Sequence, residues 1–142
     1  MSSKTKLLSE LCHLDYDAVA AYEATLDRIE DDNLKVKIRE FCNDHRDHIK
    51  SLNELLIQNG EEKVTGTDMK KILTKGKVVI ADLMGDSAIL KAMVANEKVT
   101  SEAYEKALEK DDLTPNERSV IEIHWQDEKR HKQWFEEMAS AY

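Results

Sequence analysis

Near the C-terminus, the stretch Asp127-Glu128-Lys129-Arg130-His131 sets a carboxylate and an imidazole three residues apart. On a helix that interval places both side chains on one face, where they can converge on a single cation. A lone Glu-x-x-His pair arises by chance in any charged helix, so its meaning rests on matching groups elsewhere. Asp44-His45-Arg46-Asp47-His48 repeats the interval with His45 and His48, and Asp15 and Glu97 add one acid each. The candidate metal-ligating set is therefore Asp15, His45, His48, Glu97, Glu128 and His131. Carboxylate and imidazole ligands suit iron, manganese or zinc without any thiolate.

Four helices must position these groups. The 142-residue chain has one Pro and four Gly and is rich in good helix formers, which predicts an all-α fold in one domain over 1–142. Apolar residues recur at helical spacing over about 4–30 (Leu8, Leu11, Ala18, Val19, Tyr22, Leu26, Ile29) and about 34–58 (Ile38, Phe41, Cys42, Ile49, Leu52, Leu56). Asp31-Asp32-Asn33 separates the two and can cap the second, which Asn59-Gly60 ends. A third helix is expected over about 86–110, with Leu90, Met93, Val94, Tyr104 and Leu108 inward. Thr114-Pro115-Asn116-Glu117 then reads as the clearest helix start, opening a fourth helix to about Ala139. The Gly-richer stretch 61–85 reads as a long crossover carrying one or two short helices, starting after Thr67 or Asp68. The expected architecture is two antiparallel helical hairpins joined by that crossover.

At 100° per residue, Asp15, Glu97, Glu128, His131, His45 and His48 all fall within the apolar stripes of their helices. Depth selects among the acids. Measured from the turn near Asp32, Asp15 and His48 are almost equally far, and Glu97 and Glu128 match about the turn near Leu113. Glu23 and Glu105 lie too near their turns. The hairpins also resemble each other: Leu14-Asp15 through Tyr22 to Leu26 aligns with Asn96-Glu97 through Tyr104 to Leu108, offset by 82 residues. Ile38, Asp44, Arg46 and His48 align with Ile121, Asp127, Lys129 and His131, offset by 83. An internal duplication is the expectation.

With these residues in view, the chain resembles the ferritin-like di-iron carboxylate proteins of the rubrerythrin and bacterioferritin type. Their pattern is Glu, six residues, Tyr, then Glu-x-x-His, repeated once. Glu97, Tyr104, Glu128 and His131 match it in full; Asp15, Tyr22, His45 and His48 match in outline. The resemblance implies a ferritin-like four-helix bundle with an iron cofactor, two sites, and oxygen or peroxide as co-reactant, with ferroxidase-like oxidase or peroxidase activity. It also implies that Tyr22 and Tyr104 hydrogen-bond ligand carboxylates, with core packing as the other reading, while His124 is a candidate supporting residue one turn before Glu128. Two departures stand out. Asp15 is one methylene shorter than Glu, and His45 replaces a carboxylate that bridges both metals. The protein ligands then carry three negative charges against four positive for two divalent ions, which predicts weaker or asymmetric occupancy, with Glu97, Glu128 and His131 filling first.

The net charge of −8 disfavours nucleic acid and anionic membranes as partners. No segment reads as a signal peptide or a membrane span, so a cytoplasmic location is expected, with a homodimer as a candidate assembly. Cys12 and Cys42 read as reduced core residues, His13 as surface, and Trp125, Trp134 and Phe135 as packing. Asp44 and Asp127 lie off the stripe, either solvated or supporting a ligand. Two rival functions remain: a helical interaction or stress-associated module with partial or no metal, and an iron-storage cage, the latter disfavoured by the absence of an added C-terminal helix.

Overall fold

The computed structural model describes residues 1–66, 80 and 83–142, and among them the chain is all-α. Helix α1 spans Ser3–Arg28, α2 Asp32–Gln58, α3 Asp86–Ala107 and α4 Pro115–Ala141. The closest packing is α1 along α2 and α3 along α4; α1 then meets α3 and α2 meets α4, which makes a four-helix bundle of two hairpins. Of the crossover, residues 67–79 and 81–82, including the expected short helices, lie outside the described residues. No helix among the described residues is long and apolar enough to cross a membrane.

The helix ends follow the local chemistry. Asp31 caps α2, its carboxylate accepting from the Asn33 and Leu34 N–H groups. Gly60 follows the end of α2 at φ 79°, a left-handed conformation that a side chain would strain. α3 stops at Ala107, three residues short of the expected Lys110. There the backbone turns to i→i+3 bonding (Glu109 N–H to Lys106, Lys110 N–H to Ala107), while the Arg118 guanidinium takes the Leu108 and Lys110 carbonyls. α4 begins with a full capping box: Thr114 Oγ1 accepts from the Glu117 N–H at 3.1 Å, and Glu117 Oε1 accepts from the Thr114 N–H at 2.8 Å.

Two apolar clusters fill the bundle. One gathers Tyr22, Ile38, Phe41, Leu90, Met93 and Phe135; the other gathers Leu8, Leu11, Leu52, Leu56, Tyr104 and Ile121. Every helix passes through both, and on every helix the candidate ligands fall between them: Asp15 on α1, His45 and His48 on α2, Glu97 on α3, Glu128 and His131 on α4. Cys12 and Cys42 are buried free thiols within the clusters. The start of the crossover is held down by Asn53, whose amide donates to the Val64 carbonyl at 3.1 Å and accepts from the Val64 N–H at 2.8 Å.

Glu117 joins three helix ends. Besides its own cap it accepts from Asn59 Nδ2 at the end of α2 and pairs with Lys4 of α1 at 3.2 Å. Burial opposes ionisation of this carboxyl, but the Asn59, Thr114 and Lys4 donors outweigh it and hold the pKa below the usual carboxylate value. Glu117→Ala is expected to destabilise the fold by about 1–3 kcal/mol in urea unfolding at pH 7. A carboxylate with a depressed folded pKa contributes above its unfolded pKa of about 4.3 and loses that contribution as pH falls through the folded value. The gap between wild type and variant should therefore narrow below about pH 4, and a gap that is unchanged there would assign the loss to packing alone.

Candidate metal centre

All six candidate residues are buried at the same level of the bundle. They form two groups whose ligand atoms lie within 4.8 Å of one another: Asp15, His45, His48 and Glu128 in one, and His45, Glu97, Glu128 and His131 in the other. His45 and Glu128 belong to both. The depth argument is met directly, since the His48 Nδ1 reaches Asp15 Oδ1 at 3.1 Å across the first hairpin. The rejected acids Glu23 and Glu105 are exposed. His13, expected at the surface, is half-buried instead.

In the first group Asp15 is fully engaged by hydrogen bonds, whereas Glu128 Oε1 stands 3.4 Å from His45 Nδ1 and 3.5 Å from His48 Nδ1. Asp15 Oδ1 accepts from His45 Nδ1 at 2.7 Å and from His48 Nδ1, while Asp15 Oδ2 accepts from the Tyr104 hydroxyl. The second group is open. Glu97 Oε2, both oxygens of Glu128 and His131 Nδ1 are buried without a hydrogen-bond partner. Glu97 Oε2 and His131 Nδ1 stand 3.5 Å apart. Four orphaned polar atoms in one place are costly, each by about 1–3 kcal/mol, unless a proton, a water or a cation joins them.

Supporting contacts cross between the two hairpins. Tyr22 of the first half donates to Glu97 Oε1 at 2.7 Å, and Tyr104 of the second half donates to Asp15. Likewise His48 Nε2 donates to Asp127 Oδ2 and His131 Nε2 donates to Asp44 Oδ2, both at 2.8 Å. Because a carboxylate can only accept, each of these Nε2 atoms carries its proton. A neutral His131 therefore turns the Nδ1 lone pair toward Glu97, the tautomer a metal ligand needs. Arg130 spans the two acids, donating to Asp44 at 2.9 Å and Asp127 at 3.2 Å. Of the two readings the sequence left open for Asp44 and Asp127, solvated or supporting a ligand, these contacts favour the second, and the matching 83-residue offset marks them as a pair. His124 lies outside both groups. It stacks on His48 with ring centroids 3.9 Å apart, and its Nδ1 is 3.2 Å from the Tyr104 hydroxyl. Burial and the neighbouring His48 charge push its pKa down to about 3, so it is a neutral partner of Tyr104.

Without a cation, protons set the balance. Burial opposes the charge on His45, but the Glu97 charge and the hydrogen bonds to Asp15 and Glu97 outweigh it and raise its pKa to about 10. His48 is raised against the same opposition, through Asp15 and Asp127. Burial likewise opposes ionisation of Asp15 and Glu97, yet the facing imidazoles hold both below the usual carboxylate range. Glu128 is the exception: burial first, then the adjacent Glu97 charge, push it far up, which favours its neutral form. Partial burial of Asp44 is overcome by His131 and Arg130, which hold it at about 2.

This assignment separates two carboxyls that look alike in the sequence. In chelator-treated protein, Glu128→Gln replaces one neutral group by another and should change the unfolding free energy by less than about 1 kcal/mol. Glu97→Gln removes the counter-charge of the His45 imidazolium and should cost about 3 kcal/mol. Equal losses in the two variants, measured by urea denaturation, would mean that the proton is not on Glu128.

No curated protein matches the chain. A family model described as "Domain of unknown function (DUF2383)" matches residues 4–110, a span that holds Asp15, His45, His48 and Glu97, while Glu128 and His131 lie beyond it. With most of its length matched, the chain belongs to the DUF2383 family.

Proposed function

We propose that this protein is a ferritin-like metalloprotein whose centre holds two divalent cations, iron first among them, and handles iron with oxygen or peroxide. The carrying observation is the set of buried atoms without partners: Glu97 Oε2, Glu128 Oε1 and Oε2, and His131 Nδ1 all converge in the group that also contains His45. The donor chemistry fits the metal, since imidazole nitrogen and carboxylate oxygen are what iron, manganese and zinc take in such bundles. Glu97, Glu128 and His131 would hold one ion and Asp15, His48 and Glu128 would meet the other, with the single lone pair of a neutral His45 serving one of the two. Because Asp15 already has three hydrogen-bond donors and the Glu97 side has open atoms, the Glu97 side fills first.

The chain's own groups would do the following. Asp44 and Asp127 fix the ring orientation and tautomer of His131 and His48. Tyr22 and Tyr104 hold Glu97 and Asp15 in place through their hydroxyls. The apolar clusters on either side exclude bulk water, which strengthens every electrostatic contact between them. Iron bound there would supply one-electron chemistry with oxygen or peroxide.

Anaerobic titration with iron(II), read by metal analysis and thermal unfolding, tests this reading. Binding in two steps is expected, and a hundredfold excess over the dissociation constant should add about 2.7 kcal/mol of stability, a rise on the order of 10 °C in Tm. His131→Ala should remove the tighter step and His48→Ala the weaker. Exposure of the loaded protein to oxygen or peroxide should then bring up ferric absorbance, with the zinc-loaded protein silent. Retention of no metal, with no change in Tm, would sink the proposal. That result would instead favour a second reading, a metal-free helical interaction module, which the closed hydrogen bonding around Asp15 already supports. A loaded but oxygen-inert protein would leave metal binding standing and remove the redox role.

A further inference from the structure

A cavity of about 260 Å3 lies between α1 and α3, away from the α2–α4 side where Asp44, Asp127 and Arg130 close the centre. Its walls are built by equivalent positions of the two hairpins: Leu14 faces the role of Asn96, Asp17 that of Val99, and Ala18 that of Thr100, each pair 82 residues apart. The space therefore sits where the two halves meet. The small residues Ala18 and Ala21 of α1 line it together with Met93 and Thr100 of α3. Within the lining, Val99 is 58% exposed and Asn96 half-buried, so part of the wall meets solvent. The lining also includes Tyr22 and Glu97, which are joined by the 2.7 Å hydrogen bond. Asp15 and Tyr104, their equivalents in the other group, do not line it.

We propose that this cavity is the route by which small uncharged molecules, of the size of dioxygen or hydrogen peroxide, reach the Glu97 side of the centre; the destination rests on the metal-binding reading above. The walls decide the class of molecule. Leu14, Ala18, Ala21, Met93 and Val99 offer alkyl and thioether surface, which costs a neutral molecule little to enter but gives a cation nothing in exchange for its water. Asp17 is already engaged in an interaction of its own. At about 30 Å3 for each water in the liquid, the space holds several such molecules in file. The route delivers them beside Glu97, in the group whose polar atoms are open, and away from Asp15, whose atoms are taken.

Two measurements test the route, one of them independent of metal. In the metal-free protein, dissolved dioxygen serves as a paramagnetic probe of methyl NMR signals. Relaxation enhancement at Ala18, Ala21 and Met93 should exceed that at Ile121 in the far cluster and should fall in Thr100→Leu, which fills the cavity from α3. Equal enhancement at the two places overturns the proposal. In the iron(II)-loaded protein, nitric oxide serves as the neutral probe in stopped-flow mixing. Ala18→Leu and Thr100→Leu should each slow association tenfold or more while iron stoichiometry stays at the wild-type value. Unchanged association in variants that hold their full iron would also overturn it. Failure of the wild type to retain iron would count against the metal reading and the route's destination, and the methyl measurement would still decide whether molecules enter.

Discussion

Burying charge at mid-height is the constraint that the rest of the bundle answers to. Three carboxylates and three imidazoles occupy one layer between two apolar clusters, where an uncompensated charge costs several kcal/mol. Replacing a buried charged layer by apolar residues is often neutral or stabilising, so stability alone does not account for this one. Most of its members satisfy one another, while Glu97 Oε2, both Glu128 oxygens and His131 Nδ1 are left without partners. Asp15 and Glu97 stay ionised against the raised imidazoles of His45 and His48, and Glu128 favours its neutral form.

The mutual satisfaction has a pattern. Tyr22 supports Glu97 and Tyr104 supports Asp15; Asp44 supports His131 and Asp127 supports His48. Every one of these bonds joins one hairpin to the other, although α1 packs most closely on α2 and α3 on α4. Apolar packing thus makes the hairpins, and polar bonding at the centre registers one against the other. Sliding one hairpin by a residue would break all four bonds at once, which is how a polar layer specifies a unique alignment that interchangeable Leu and Ile contacts leave loose.

Most of this layout was legible in the sequence because helical period and depth are both arithmetic. Asp15, His45, His48, Glu97, Glu128 and His131 could be placed on stripes and at one level before any coordinates. Helix starts were equally readable where a side chain does the capping, as at Thr114 and Asp31. What stayed ambiguous were properties of pairs on different hairpins. Whether Tyr22 packs or donates depends on where Glu97 lies across the bundle, and a stripe cannot state that. Asp44 and Asp127 sit a turn's edge away from the core, and they acquire meaning only through the ring nitrogens that reach out to them. The end of α3 was missed for a similar reason: Arg118, on another helix, takes the Leu108 and Lys110 carbonyls.

His45 gives the two halves different characters. A carboxylate at that position would add a fourth acid to the buried layer, and in the absence of cations it would need a further proton or would repel Asp15 and Glu97. The imidazole does the reverse. Its Nδ1 faces Asp15 at 2.7 Å and its Nε2 faces Glu97 at 3.3 Å, so one positive charge serves both acids. The metal-free fold is stabilised by that arrangement, and a cation entering beside Asp15 must displace it. Beside Glu97 and Glu128 no such closure exists, since Glu97 Oε2, Glu128 and His131 Nδ1 lack partners. Imidazole at position 45 therefore gives the Asp15 side a closed hydrogen-bonded arrangement and leaves the partnerless polar atoms of Glu97 and His131 on the other side.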